Sequence, residues 1–434
     1  MKSNRFWTGV SRILAVTTVT LTVALMLAPG AWAAGNYKVL YYFTGGDDGG
    51  SPGQGVILDA AGNLYGTAQV GGTSGNGVVF ELTPNSDGSW TESALYSFSG
   101  GSDGSYPYGQ VTFDANGNLY GTTWYGGDSS SGIVFQLVPN SDGTWTEKVL
   151  YSFPSGSDES QPTAGVIVDT KGTLYGTTLG GGTQGLGVVY KLTPKSDGSW
   201  KYGVLHNFKG GKDGSYPGWS SLSFDTAGNL YGTTWGGGNP DCRGPWGKGC
   251  GMIFELVPNA DGSWKEKVLF RFGNGQYQPA GPLVFDRAGR LYGIAIGWNG
   301  NYGNVFQLTL GKNGKWTERI LHKFTGNQDG AYPSSGVLFN TAGDLYGTTV
   351  YGEDENGDCC PGQVFKLVPH AGGWTKQAVH RFQGAPQDGV NTRARVVFDA
   401  AGNLYGTTCD GGSGNGGDCV DGSSGAGVVF EIKR

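Results

Sequence analysis

The residues of this chain best equipped for recognition chemistry are aromatic rings set among glycine and proline. Tyr106, Tyr108, Trp124 and Tyr125 form one group, and Tyr216, Trp219, Trp235 and Trp246 a second. Tyr277, Trp298, Tyr302, Tyr332 and Tyr351 form a third. Flat rings suit the apolar faces of pyranose sugars, and nearby Asn, Asp and peptide groups suit their hydroxyls. The competing assignment is that the rings fill gaps inside a core. Arg393 and Arg395, in the run Thr392-Arg393-Ala394-Arg395, add a cation. A guanidinium there binds a carboxylate through paired hydrogen bonds or pairs with a loop aspartate of the fold itself.

Catalytic signals are sparser. Of the four histidines, His206, His322 and His380 align with Tyr96, Tyr151 and Phe270 and read as packing residues, while His370 falls in a turn. There is no nucleophile elbow and no P-loop. Acid–base work by Asp48, Asp103, Asp213, Asp329 or Asp388 stays open, as in a glycoside hydrolase, and so does Tyr/Arg chemistry of the polysaccharide-lyase kind. Asp354-x-Asn356-x-Asp358 offers alternating oxygen ligands for calcium, but its glycine is misplaced for an EF-hand loop; otherwise no cofactor is expected. The balance favours a binding module, with a polysaccharide-cleaving enzyme and a non-carbohydrate protein scaffold as alternatives.

The start of the chain carries export features. Lys2, Arg5 and Arg12 precede an apolar run at 13–27, and Ala31-Trp32-Ala33 supplies a small-residue cleavage pattern. Residues 1–33 thus read as a signal peptide, which implies a secreted or periplasmic protein. Without that leader the formal charge moves from −6 to −9, with no basic cluster. This argues against nucleic acid or an anionic membrane surface as partner and leaves an extracellular glycan or protein; a monomer is expected. An oxidising compartment suits the six cysteines. Their spacing lacks zinc-type pairs and points to disulfides Cys242–Cys250 and Cys409–Cys419, leaving Cys359 and Cys360 unassigned.

These residues hang on a repeat. LYGT or a near copy begins at Leu64, Leu119, Leu174, Leu230, Leu291, Leu345 and Leu404, at intervals of 55, 55, 56, 61, 54 and 59 residues. Each period holds four strand-like runs; in the second copy they are 110–114, 118–124, 132–138 and 144–153. All are rich in β-branched and aromatic residues and bounded by Asx–Gly turns. Four short antiparallel strands repeated seven times make a propeller blade. The run YKVLYYF at 37–43 matches the fourth strand and GVVFEIKR at 427–434 the third, so the N-terminal strand is expected to close the last sheet. The expected fold is all-β: residues 34–434 form one seven-bladed β-propeller of four-stranded antiparallel blades.

The phrasing LYGTT-x-x-GG…G-x-VF-x-L…LYSF resembles the GloVer tandem repeat of bacterial secreted "choice-of-anchor" proteins. The likeness covers nearly the whole chain after the leader and implies the repeat fold, with no catalytic residue or substrate to carry over. Many such proteins have a C-terminal anchoring segment; here the sequence stops three residues after Glu431, which favours free secretion or the periplasm.

Sevenfold recurrence is itself an argument against catalysis, because one active site needs one set of residues. The fifth copy reads LYGIAIGW, with Ile294 and Ala295 in place of both threonines. LYGTT is therefore read as packing, its glycine marking a close backbone approach. Function is expected where copies differ. The loops at 236–251, 351–362 and 409–427 vary and share one face of a propeller, as do Trp124 and Tyr125. Arg395 occupies the register of Gly55, Gln110, Gly165, Ser221, Pro282 and Gly336, at the start of the innermost strand beside the central channel.

Overall fold

The computed structural model describes residues 37–155, 159–244, 247–273, 278–297, 300–352, 361–413 and 425–434. Seven antiparallel four-stranded sheets follow one another around an axis, the inner strand of blade 2 being split into Ser105–Pro107 and Thr112–Phe113. In the first blade the strands are Val56–Leu58, Leu64–Ala68, Val78–Pro84 and Trp90–Ser97, from the inside outward. Closure is as expected. Tyr37–Tyr42 pairs with Val428–Ile432, so the outer strand of the seventh blade comes from the start of the described chain. The described residues contain no helix beyond two short 3-10 turns, Gly211–Asp213 and Asn327–Asp329.

The core lies between blades. Leu119, Ile133 and Phe135 of blade 2 pack with Tyr65, Val79 and Phe98 across the first seam, all buried. Burying rings of this size is worth about 1.5–3 kcal/mol each, which makes the seams the main source of cohesion. All five residues of LYGTT are buried in blade 2, because each sheet has a neighbour on either face. The glycine has a more specific cause than the expected backbone approach. Gly121 pairs with Phe135 of the third strand, and a Cβ there would come closer than 3.0 Å to the Phe135 ring. The same holds for Gly66 on Phe80, Gly176 on Tyr190, Gly232 on Phe254, Gly293 on Phe306, Gly347 on Phe365 and Gly406 on Phe430.

The other letters of the repeat have equally local reasons. Tyr120 donates its hydroxyl to Asp114 at 3.0 Å, and Asp114 also accepts the backbone N–H groups of Asn116 and Asn118, closing the first hairpin. Thr122 donates to Ala164 O of the next blade at 3.0 Å; Thr123 donates to Tyr125 O at 2.8 Å and ties down its own loop. Asp87, Asp142, Asp197 and Asp261 each accept from the residue two places on, which makes them turn formers.

A polar set recurs where the outer strands meet. Tyr96 donates to Asp103 at 3.1 Å, and Glu147 of the following blade faces the same aspartate. Tyr41, Asp48 and Glu92 repeat the arrangement, and His206, Asp213 and Glu266 are its histidine version. Two seams later His322 and Asp329 meet Lys376 instead of a glutamate. At the seam of blades 6 and 7 His380 lies 3.1 Å from Asp388, which also accepts from the Tyr37 hydroxyl.

Candidate functional site

Each blade begins its inner run with an unusual turn. Ser51, Tyr106, Gln161, Tyr216, Gln278, Tyr332 and Asn391 all have positive φ, between 48° and 63°. Six of them precede a proline, and Thr392 takes the proline's place in blade 7. A left-handed conformation at a non-glycine residue costs on the order of 1–2 kcal/mol, so something must hold it seven times over. The hold is a tie to the preceding blade: Tyr106 N donates to Asn76 O at 2.9 Å, Tyr216 N to Leu186 O at 2.8 Å and Tyr332 N to Tyr302 O at 2.8 Å.

Next along the chain come Gly53, Tyr108, Thr163, Trp219, Ala280, Ser334 and Arg393, equivalent in register; blade 4 reaches Trp219 one residue late because Gly218 intervenes. Six of these seven, with Gln54 in place of Gly53, line a single cavity of about 630 Å³. Trp235, Ile296 and Val350, each directly after an LYGTT copy, line it too, as do Gln278, Tyr332 and Tyr351. Residues from all seven blades can meet only on the axis. The volume lies within the range of small-ligand sites.

Its walls are aromatic on one side. Trp219 and Trp235 stack with centroids 5.2 Å apart, and Tyr108 meets Trp219 edge-on at 5.3 Å. Trp124 joins from behind, 5.0 Å from Tyr108 and stacked on Tyr125 at 5.5 Å. Tyr106 and Tyr125, 39% and 42% exposed, belong to the outer rim and not to the cavity. Tyr216 is half-buried with positive φ, while Tyr302 and Tyr351 flank Tyr332 at 6.2 and 5.7 Å. Trp246, Trp298 and Tyr277, and the calcium candidates Asp354, Asn356 and Asp358, lie outside the described residues.

Polar groups line the cavity as well. Arg393 donates to the Tyr108 hydroxyl; burial pushes that phenol up and the guanidinium pulls it back. Gln278 Nε2 and Arg393 Nε are buried with no hydrogen-bond partner among the described residues. From 393 to 396 exposure alternates, with Arg393 and Arg395 half-buried and Ala394 and Val396 buried. Arg393 lines the cavity, while Arg395 precedes the innermost strand Val397–Phe398 and is not among the lining residues. Its register partners Gln110, Ser221 and Pro282 are half-buried in the same way.

Among the described residues, neither Asp, Glu nor His lines the cavity. The acid–base candidates Asp48, Asp103, Asp213, Asp329 and Asp388 are engaged at the outer seams. His206, Asp213 and Glu266 bring three ligand atoms close enough to share a cation, but they occupy the register that Tyr–Asp–Glu fills elsewhere. In the blade 4 loop Cys242 and Cys250 form a disulfide, with Cα atoms 5.7 Å apart. Cys409 is also disulfide-bonded, and Cys419, its expected partner, lies outside the described residues.

Sequence reasoning missed Gln54, Thr163, Gln278, Ala280, Ile296, Gly297, Ser334 and Val350. The signal was available for three of them, Thr163, Ala280 and Ser334: the residue after the proline marks the axial register, whatever its type.

Comparison with solved structures finds other proteins at low similarity. A gluconolactonase of Xanthomonas campestris shares 15% identity over 74% of this chain and 84% of its own, at a TM-score of 0.39. The pyrroloquinoline-quinone-bound aldose sugar dehydrogenase of Streptomyces coelicolor shares 14% over 75% and 93%, at 0.43. A protein of unknown function from Dyadobacter fermentans shares 11% over 92% and 98%, at 0.44. Among curated proteins no match is found. The Gloeobacter/Verrucomicrobia repeat, by contrast, matches residues 30–167 and 141–356, three quarters of the sequence with the repeat phrasing intact. The chain belongs to the Gloeobacter/Verrucomicrobia repeat family.

Proposed function

We propose that this protein is an exported binding module whose axial cavity holds a saccharide. The observation that carries the reading is the right-angled aromatic corner of Tyr108, Trp219 and Trp235 together with polar groups with unused donors, Gln278 Nε2 and Arg393 Nε. Rings supply a stacking surface for the C–H face of a pyranose, and fixed donors select its hydroxyl pattern. The rim rings Tyr106 and Tyr125 extend the surface outward for a longer chain. Export rests on the leader pattern at residues 1–33, and the acidic balance of the chain suits an uncharged or sparsely charged ligand over a dense polyanion.

The Tyr108–Arg393 contact gives a lyase a second hearing, since elimination from a uronate pairs a carboxylate-neutralising cation with a base. Burial works against it by keeping the Tyr108 phenol protonated near neutral pH, as a donor and not a base. A glycan array probed with the protein and its Trp219→Ala variant tests the proposal. Binding to at least one oligosaccharide should fall about thirtyfold or more on losing that ring, with unchanged melting temperature. Equal binding by both proteins, or release of an unsaturated ultraviolet-absorbing product, would displace it.

A further inference from the structure

The two arginines of blade 7 set a narrower requirement on the ligand. Arg393 borders the cavity, and its guanidinium meets the neutral Tyr108 hydroxyl. Arg395 follows two residues later, just before the innermost strand Val397–Phe398, and is half-buried like Arg393. Neither forms an ion pair with a carboxylate among the described residues. Both Nε atoms are buried without a partner.

The registers around them hold no compensating charge. At the register of Arg393 the equivalent residues are Gly53, Tyr108, Thr163, Trp219, Ala280 and Ser334; at that of Arg395, Gly55, Gln110, Gly165, Ser221, Pro282 and Gly336. Two like charges two residues apart, both half-buried, are unfavourable side by side unless an anion completes them. Guanidinium groups stay charged when buried, so neutralisation by deprotonation offers no relief. The fold does not use them as its own salt bridges, and an internal pair with a loop aspartate, the simplest role for Arg395, is not formed among the described residues.

We propose that the axial cavity is selective for a saccharide carrying a carboxylate, a uronic acid or its equivalent, with the carboxylate received by Arg393 and supported by the charge of Arg395. This rests on the saccharide reading of the cavity and adds the class of sugar. Tyr108, Trp219 and Trp235 hold the ring, while Arg393 and Arg395 select the acid.

The test compares uronate oligosaccharides with the same oligosaccharides after carboxyl reduction, by calorimetric titration into the protein. The acidic form should bind at least tenfold more tightly. Arg393→Gln should weaken the acidic form far more than the reduced form and so remove most of that preference. Arg393→Lys, which keeps charge but loses the paired donors, should fall between. Arg395→Gln should lower the preference in the same direction. A sulfated neutral oligosaccharide serves as the anion control, and tighter binding of sulfate than of carboxylate would overturn the assignment. Equal affinity for acidic and reduced forms, lost from both on Trp219→Ala, would overturn the acid selectivity and leave the saccharide site standing. If neither form binds, both readings fall together.

Discussion

Two sets of seven equivalent positions, thirteen residues apart in every blade, obey opposite rules. The Gly of LYGTT is the same in every blade because Phe135 and its six counterparts, one of them Tyr190, press on it. At the axial register, which reads Gly, Tyr, Thr, Trp, Ala, Ser and Arg around the ring, no two blades agree. The first set faces a partner repeated by the fold, so one residue type solves the problem seven times. The second faces a shared void where identical side chains would collide at the centre or leave a symmetric, unselective hole. Repetition in this molecule therefore marks the frame, and the break in repetition marks the site.

The sharpest way to break that comparison is to disturb the frame alone. Gly121→Ala places a methyl group against the Phe135 ring in a fully buried strand. Overpacking of this kind costs about 1–3 kcal/mol. Chemical denaturation should show the loss, and ligand affinity of the folded fraction should not change. A variant that bound more weakly while keeping its stability would mean that frame and site are not separable as drawn.

This division also explains what could be read from sequence. Blade number, the four strands per period and closure by Tyr37–Tyr42 were legible because hydrophobic alternation and Asx–Gly turns recur on one period. The glycine was legible as a close approach but not its partner, since Phe135 reaches it only through the strand register. The site was legible in part. Tyr108, Trp219, Trp235 and Arg393 stood out as large residues in variable positions, whereas Thr163, Ala280 and Ser334 carry no chemical flag of their own. Tyr106 and Tyr125 look like Tyr108 in sequence, yet they point to the rim. A single intervening residue decides which of two neighbouring tyrosines reaches the axis, and the positive φ at Tyr106 sets that turn.

A smaller effect is expected at the joint between the two sets. Thr122 belongs to the repeat, yet its hydroxyl donates across the seam to Ala164 O, beside the axial Thr163. Thr122→Val keeps the shape and removes the donor, leaving a buried carbonyl short of a bond at a cost of about 1 kcal/mol. Blade 5 carries Ile294 in this register, so the loss is tolerable for folding. If Thr122→Val changed binding more than stability, the threonines would have to be counted with the site.

The smallest expected effect lies at the outer seams, where the repeat itself is imperfect. Glu92 and Glu147 are raised from 4.5 to about 7, first by burial and then by Asp48 and Asp103 respectively. Glu266 is raised to about 8 by burial and by Asp213. A folded pKa above the unfolded value means that the folded state holds the extra proton. The stabilisation from each seam is complete below about 4.5 and is lost as pH rises through 7 to 8. The Lys376 seam runs the other way. Although burial alone would raise Asp329, the bond from His322 and the charges of His322 and Lys376 hold it at about 2, so its contribution persists above pH 3.8 and is lost as pH falls toward 2. Denaturant midpoints measured from pH 5 to 9 should therefore decline toward the alkaline end. Glu147→Gln, which fixes the neutral shape, should flatten part of that decline without moving saccharide affinity. An unchanged slope in that variant would show that the carboxyl pair at the blade 2 seam shares no proton, and that the variation among seams is as silent as the constancy of LYGTT.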